Sequence, residues 1–211
     1  MADLKEWLLN IRQSSQRIGD VAFRHTEQKR DEWQQLSQNH PIVSTAAFNS
    51  ALEQVYNEQD DCVLPLLHAN VVDPLNFDQI SIEFQPLYEA IHIYNCLEKT
   101  DDLRDTYDSD RRGQMNLLLP PEVKLDDDGQ FLRNLLANVT GFALIERATS
   151  VRTHNFRLVS DIEALWELMC SRVIDLVAEA VGKLTEPRLM LAVKDAMTLF
   201  SQTIQVLSVP I

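Results

Sequence analysis

The 211 residues include only five glycines, at Gly19, Gly113, Gly129, Gly141 and Gly182, with no pair close enough to build a phosphate-cradling loop. So small a supply of positive-φ positions argues against a turn-rich β-sandwich and against a nucleotide-binding α/β domain. Cysteine is equally sparse. Cys62, Cys96 and Cys170 form an odd set without a short motif, which points to a reducing compartment and away from a disulfide scaffold. Basic side chains are short as well, 19 against 32 acidic, leaving a net charge of −13. That balance repels phosphate backbones and anionic headgroups, so nucleic acid is not an expected partner and direct membrane docking is disfavoured. No apolar run reaches the ~20 residues of a membrane helix, since the longest, Cys62–Val72, is broken by Pro65 and His68. The opening MADLKEWLLN is charged and helical, unlike a signal peptide, so a cytoplasmic protein is expected. Asn138-Val139-Thr140 matches a glycosylation sequon, but it lies inside an apolar helical segment and reads as chance.

What is present is helical periodicity. From Asp3 to about Ser37, apolar residues recur at Leu4, Trp7, Leu8, Ile11, Ile18, Val21 and Ala22, with a gap at Ser14 and Ser15. The remainder of that segment is thick with charge, and Asn39-His40-Pro41 stops it. Ser44 to Glu58 predicts a shorter helix, and Asp60–Phe77, with Pro65 and Pro74, a connector with room for a short strand at Asn70–Asp73. Further helices are expected from Pro86, from the cap-like Thr100-Asp101 to Pro120, and after Asp126-Asp127-Asp128. Two more follow, one behind the capping box Ser160-Asp161-Ile162-Glu163 and one from Pro187. The fold class is therefore all-α, an elongated array of antiparallel helical hairpins. Residues 1–60 form N-terminal helices, 61–80 an acidic, proline-bearing connector and 81–211 a helical bundle, together one elongated domain.

Charge is unevenly placed. Residues 78–128 hold 13 acidic and 5 basic side chains while 129–211 hold 8 of each, so the middle of the chain is expected to present an acidic surface. Asp101, Asp105 and their neighbours read as a solvated helix face or a docking face. Arg147, Arg152, His154 and Arg157 make one inter-helix loop locally basic; it either binds phosphate or an acidic partner, or simply keeps the loop in solvent. Trp33 sits in a charged stretch with few apolar neighbours, which makes it the tryptophan best suited to a partner contact.

Catalytic and metal signatures are lacking. Glu89-x-x-His92 is one half of a di-iron step with no second half, and Cys62, His68, His92 and Cys96 do not have the tight spacing of a structural zinc site. No nucleophile elbow or Walker loop is present. The expectation is a protein without enzymatic activity, cofactor or metal.

Phe84–Pro120, FQPLYEAIHIYNCLEKTDDLRDTYDSDRRGQMNLLLP, resembles the Rab-effector subunit of the exocyst, called exocyst complex component six in animals. Asp3–Arg30, Gly141-Phe142 followed by Glu146, Ile162–Met169 and the closing Val209-Pro210 fit the same family in the same order, in the idiom of a fungal member. The stretch Ser37–Asp78 aligns poorly. The resemblance implies a tethering subunit of the CATCHR helical-rod type, of which this would be an internal piece of the N-terminal half. It implies a coiled coil upstream and a domain binding GTP-loaded Rab proteins downstream; no Rab-binding motif of the family falls on these positions. Implied partners are other exocyst subunits, with a Rab-type small GTPase and its exchange factor reached through the full-length protein. Implied location is the cytoplasm, peripherally at secretory vesicles and at sites of polarised exocytosis. A homodimeric helical adaptor outside the exocyst has the same composition and is the alternative.

Overall fold

The computed structural model describes residues 2–39, 82–123, 129–154, 156–184 and 186–206. Six helices account for most of them: α1 (Ala2–Asn39), α2 (Gln85–Cys96), α3 (Thr100–Leu118), α4 (Gln130–Arg152), α5 (Val159–Gly182) and α6 (Pro187–Val206). Among the described residues there is no strand. The sequence expectations for Ser44–Glu58, for the connector and for a strand at Asn70–Asp73 lie outside the described residues.

The prolines and the dense charges mark the ends well. Pro86 occupies the first turn of α2, where the missing N–H costs nothing, and Pro187 opens α6. Between α2 and α3 the chain turns on Glu98, which adopts the left-handed conformation at φ 57°. Lys99 N–H donates to Tyr94 O at 2.9 Å and Glu98 N–H to Asn95 O at 3.1 Å, the paired bonds of a Schellman ending with glutamate where glycine is usual.

Two expected caps form differently. Thr100 is already inside α3, and its hydroxyl donates 2.5 Å to Asn95 Oδ1 across the turn. The expected box at Ser160–Glu163 is not made. Leu158, extended at ψ 146°, is the residue before α5, and its carbonyl accepts from Asp161 and Ile162 at 3.2 and 3.3 Å. The helix therefore starts one residue before Ser160, so that hydroxyl is out of reach of the free N–H groups it was expected to cap.

The main packing joins segments far apart in sequence, not neighbouring hairpins. α1 lies along α4, α6 packs on both, α2 and α3 close over the first half of α1, and α5 packs on α4. α4 is consequently walled in by α1, α3, α5 and α6 and buries far more than one stripe, from Leu132 to Thr149. Ser15, read in the sequence as a gap, belongs to the α1 stripe. It is fully buried, and its hydroxyl turns back to Ile11 O at 3.2 Å. The reason for the gap is close approach: a Cβ on Gly19 would lie 1.7 Å from Ala137 O, and one on Gly141 would lie 1.7 Å from Ser15 O. The helices cross backbone to backbone, through Ser15 and Gly19 on one side and Ala137 and Gly141 on the other, each pair four residues apart. Thr26 and Thr203 close the far end of this core with a buried hydroxyl–hydroxyl bond of 3.0 Å.

Candidate functional site

α3 has two faces, and their separation follows from its sequence. Leu103, Tyr107, Arg111 and Met115, spaced four apart, are buried, while Asp101, Asp102 and Asp105 face solvent. Asp101 is held only by Arg104, at 3.0 Å, with its own side chain almost fully exposed. Such a pair adds little stability, and the acidic face keeps its field for whatever approaches.

On the inward face Arg111 has no access to water, nor has Glu146 on α4. Arg111 Nε donates to Glu146 Oε1 at 2.5 Å, Arg157 Nε to Glu146 Oε2 at 2.9 Å, and the Tyr107 hydroxyl to Oε1 at 3.2 Å. Arg157 also pairs with Asp108, and Arg111 Nη1 donates to Gln114 Oε1 at 2.5 Å; Gln114 in turn donates to Leu8 O at 2.9 Å. The two guanidiniums and two carboxylates balance, and the Arg111 guanidinium stacks 4.0 Å over Phe142. Arg111 Nη2 is buried without a hydrogen-bond acceptor. Burial raises the Tyr107 phenol well above its ordinary range, and the Glu146 carboxylate adds to that shift. Desolvation also lowers Arg157. The network ties α1, α3, α4 and the α4–α5 loop at one point. Trp7, Phe84, Phe142 and Phe156 pack around it, and it holds these helices together.

The expected basic loop is not a common surface. Arg157 is only 4% exposed and turned inward, because Glu146 and Asp108 draw it into the core; this corrects its assignment to a solvated patch. Arg152 is half-buried with its guanidinium 5.2 Å over Phe84, and Arg147 is half-buried on the other side of α4. His154 alone of the four is exposed, in the left-handed conformation at φ 47°.

Trp33 falls on α1, and its side chain lies outside the described residues. Thr26 is the last buried residue of that helix among the described side chains. From Glu27 on, every described side chain is exposed or half-exposed, and the helix is stitched by Gln28 and Lys29 reaching Glu32 at 3.1 and 3.2 Å. Glu27 ties the helix to α4 through a two-pronged pair with Arg133 at 2.8 and 3.0 Å.

For the metal reading, Glu89, His92 and Cys96 are exposed on α2, with Cys96 Sγ 3.9 Å from His92 Nε2; Cys62 and His68 lie outside the described residues. Among the described residues no three ligands converge. No helix among them is long and apolar enough to cross a membrane. Sequence reasoning missed Glu146 as a hub. The signal was available: it is the one acidic residue in Gln130–Arg152, set on the apolar stripe four residues after Phe142.

No family model matches this chain, and no solved structure does. Among curated proteins it is similar to "Exocyst complex component 6B" of Mus musculus, 26% identical over 221 residues, covering 100% of this chain and 27% of the relative. It is likewise similar to "Exocyst complex component 6" of Drosophila melanogaster, 26% identical over 204 residues, covering 96% of this chain and 25% of that one. "Exocyst complex component sec15" of Schizosaccharomyces pombe is 22% identical over 205 residues, covering 97% of this chain and 25% of that one. The chain thus spans 25–27% of the length of these relatives. The resemblance carried by Phe84–Pro120 extends over the whole chain, fungal relative included.

Proposed function

We propose that this relative of exocyst complex component 6 is a non-enzymatic helical module of an exocyst subunit, serving to tether secretory vesicles at the plasma membrane before fusion. The observation that carries the reading is the likeness across 96–100% of the chain to exocyst component proteins of animals and of a yeast. The fold supports it. Helices locked by a backbone-level crossing and a buried ionic hub hold exposed faces in fixed relation, as a scaffold needs.

Two faces are assigned to partners. One is the part of α1 beyond Glu27, with Trp33; the other is the acidic face of α3, with Asp101 and Asp105. Both meet other exocyst subunits, and a Rab-type GTPase and its exchange factor are engaged through the longer subunit. The protein then works peripherally, at vesicles and sites of polarised exocytosis. Arg147 and Arg152 remain at the edge of these contacts, and Arg157 is a core residue.

The test is capture from cytosol with the 211-residue chain as bait, read by mass spectrometry with and without a non-hydrolysable GTP analogue. Recovery of other exocyst subunits regardless of nucleotide is expected. Trp33→Ala is expected to weaken that recovery while leaving helical content intact. Recovery of no exocyst subunit by the parent chain would remove the reading.

A further inference from the structure

Two branched apolar side chains stand in water at the end of α2. Ile93 and Leu97 are both more than half exposed. They follow Glu89 at intervals of four, so the three make one row along the helix, and Glu98 adjoins Leu97 where the chain turns into α3. The other side of α2 seats Leu87 in the core, with Ala90 and Tyr94 packed beside it. An apolar row on an exposed helix does not enclose a metabolite; it suits the seam between two helices.

The charge around the row says what the second helix carries. From Glu89 to Asp110 the chain has seven acidic side chains against two basic ones, Lys99 and Arg104. Arg104 is taken up by Asp101 and Phe156 O, at 3.0 and 2.9 Å, and Asp108 by Arg157. Lys99 is exposed beside Glu98, while Asp102 and Asp105 are exposed on the first two turns of α3. No ion pair among the described residues holds Glu98, Asp102 or Asp105. Further cations stand away from the elbow, Arg112 two turns beyond Asp105 and Arg152 over Phe84 at the other end of α2. With these pairings made, the elbow is still negative. It draws a basic segment toward Ile93 and Leu97 and opposes an acidic one.

We infer that the α2–α3 elbow receives an amphipathic helix of a partner chain, its apolar stripe against Ile93 and Leu97 and its basic flank toward Glu98, Asp102 and Asp105. This rests on the reading of the acidic α3 face as a partner surface, and it adds the partner's charge and its anchor points. The experiment is calorimetric titration of the 211-residue chain with three synthetic peptides of roughly 18 residues. One is a Leu/Lys amphipathic helix, one its Leu/Glu counterpart, and one a scrambled Leu/Lys peptide without a stripe. The Leu/Lys helix is expected to bind one to one, and the other two at least about ten-fold more weakly.

Two double variants, all four positions already in solvent, separate the contributions. Ile93→Ser with Leu97→Ser leaves the charge unchanged and is expected to weaken the Leu/Lys helix about ten-fold, where attraction by charge alone predicts no change. Asp102→Asn with Asp105→Asn leaves the apolar row intact and is also expected to weaken it, where apolar seating alone predicts no change. Equal binding of the scrambled or the Leu/Glu peptide, unchanged binding by either double variant, or no binding of the Leu/Lys helix overturns the inference. So does a dimer of the free chain that Ile93→Ser with Leu97→Ser splits, since a second copy would then cover the row. Exocyst subunits captured without peptide binding would strike the elbow and leave the exocyst reading, and peptide binding without captured subunits would do the reverse.

Discussion

Glu146→Gln removes one negative charge from a point where two guanidiniums converge. Arg157 keeps Asp108, whose side chain is partly in water, but Arg111 loses its only carboxylate and is left with a neutral amide acceptor on Gln114 at zero exposure. Breaking a buried pair on one side costs about 3–5 kcal/mol, because the remaining charge stays desolvated. Against a total stability of about 5–15 kcal/mol for a domain, that is a large fraction. Urea unfolding followed by far-UV circular dichroism is expected to show an unchanged slope and a midpoint lowered by that free energy divided by the slope. The companion is Arg111→Met, Glu146→Leu and Arg157→Met together, which removes the network instead of breaking it. It is expected to lose less than Glu146→Gln alone, since Asp108 is free to hydrate. A Glu146→Gln chain within about 1 kcal/mol of the parent would place the network in a screened, water-accessible setting and refute the reasoning.

Glycine substitutions are expected to split by position. Gly141→Ala forces a Cβ into Ser15 O and must push α1 off α4, a loss of about 3 kcal/mol or more. Gly113→Ala, on exposed α3 with nothing within 4 Å, gains about 1 kcal/mol of helix propensity; thermal melts of the two variants read both signs. The Tyr107 phenol, ordinarily at 10.0, is raised by burial and then by Glu146, so the folded chain holds that proton longer than the unfolded one. Its contribution is intact below pH 10 and is lost as pH climbs further. Tyr107→Phe is therefore expected to flatten the alkaline decline in stability, while losing about 1 kcal/mol at neutral pH with the bond to Glu146. The Trp33→Ala capture completes the set.

The helices were legible because prolines and charges punctuate them: Pro86, Thr100-Asp101 and Pro187 lie within a residue of observed starts. Periodicity names the face a helix buries, but not the helix that covers it. That is why the α1–α4 pairing did not show, and why Ser15 read as a gap when, with Gly19, it is part of the contact itself. Arg157 misled for the same reason. A cation in a loop is solvated unless an acid from another helix claims it, and the claimant, Glu146, lies eleven residues back on α4. The acidic face of α3 was legible because its buried and exposed positions alternate within one helix, so no partner is needed to read it.

The glycine crossing also has a mechanical side. Asn39 lies 20 residues beyond Gly19 on one unbroken helix, about 30 Å at 1.5 Å per residue. Pivoting that arm by about 10° at the crossing swings its tip by about 5 Å on that geometry, the width of a side chain. Because backbone meets backbone there, with no flexible side chain between, the pivot has little play. A pull applied near Asn39 reaches the bundle first at Glu27 and Thr26 and then at the crossing, where Gly19 and Gly141 seat α1 directly on the most enclosed helix of the bundle.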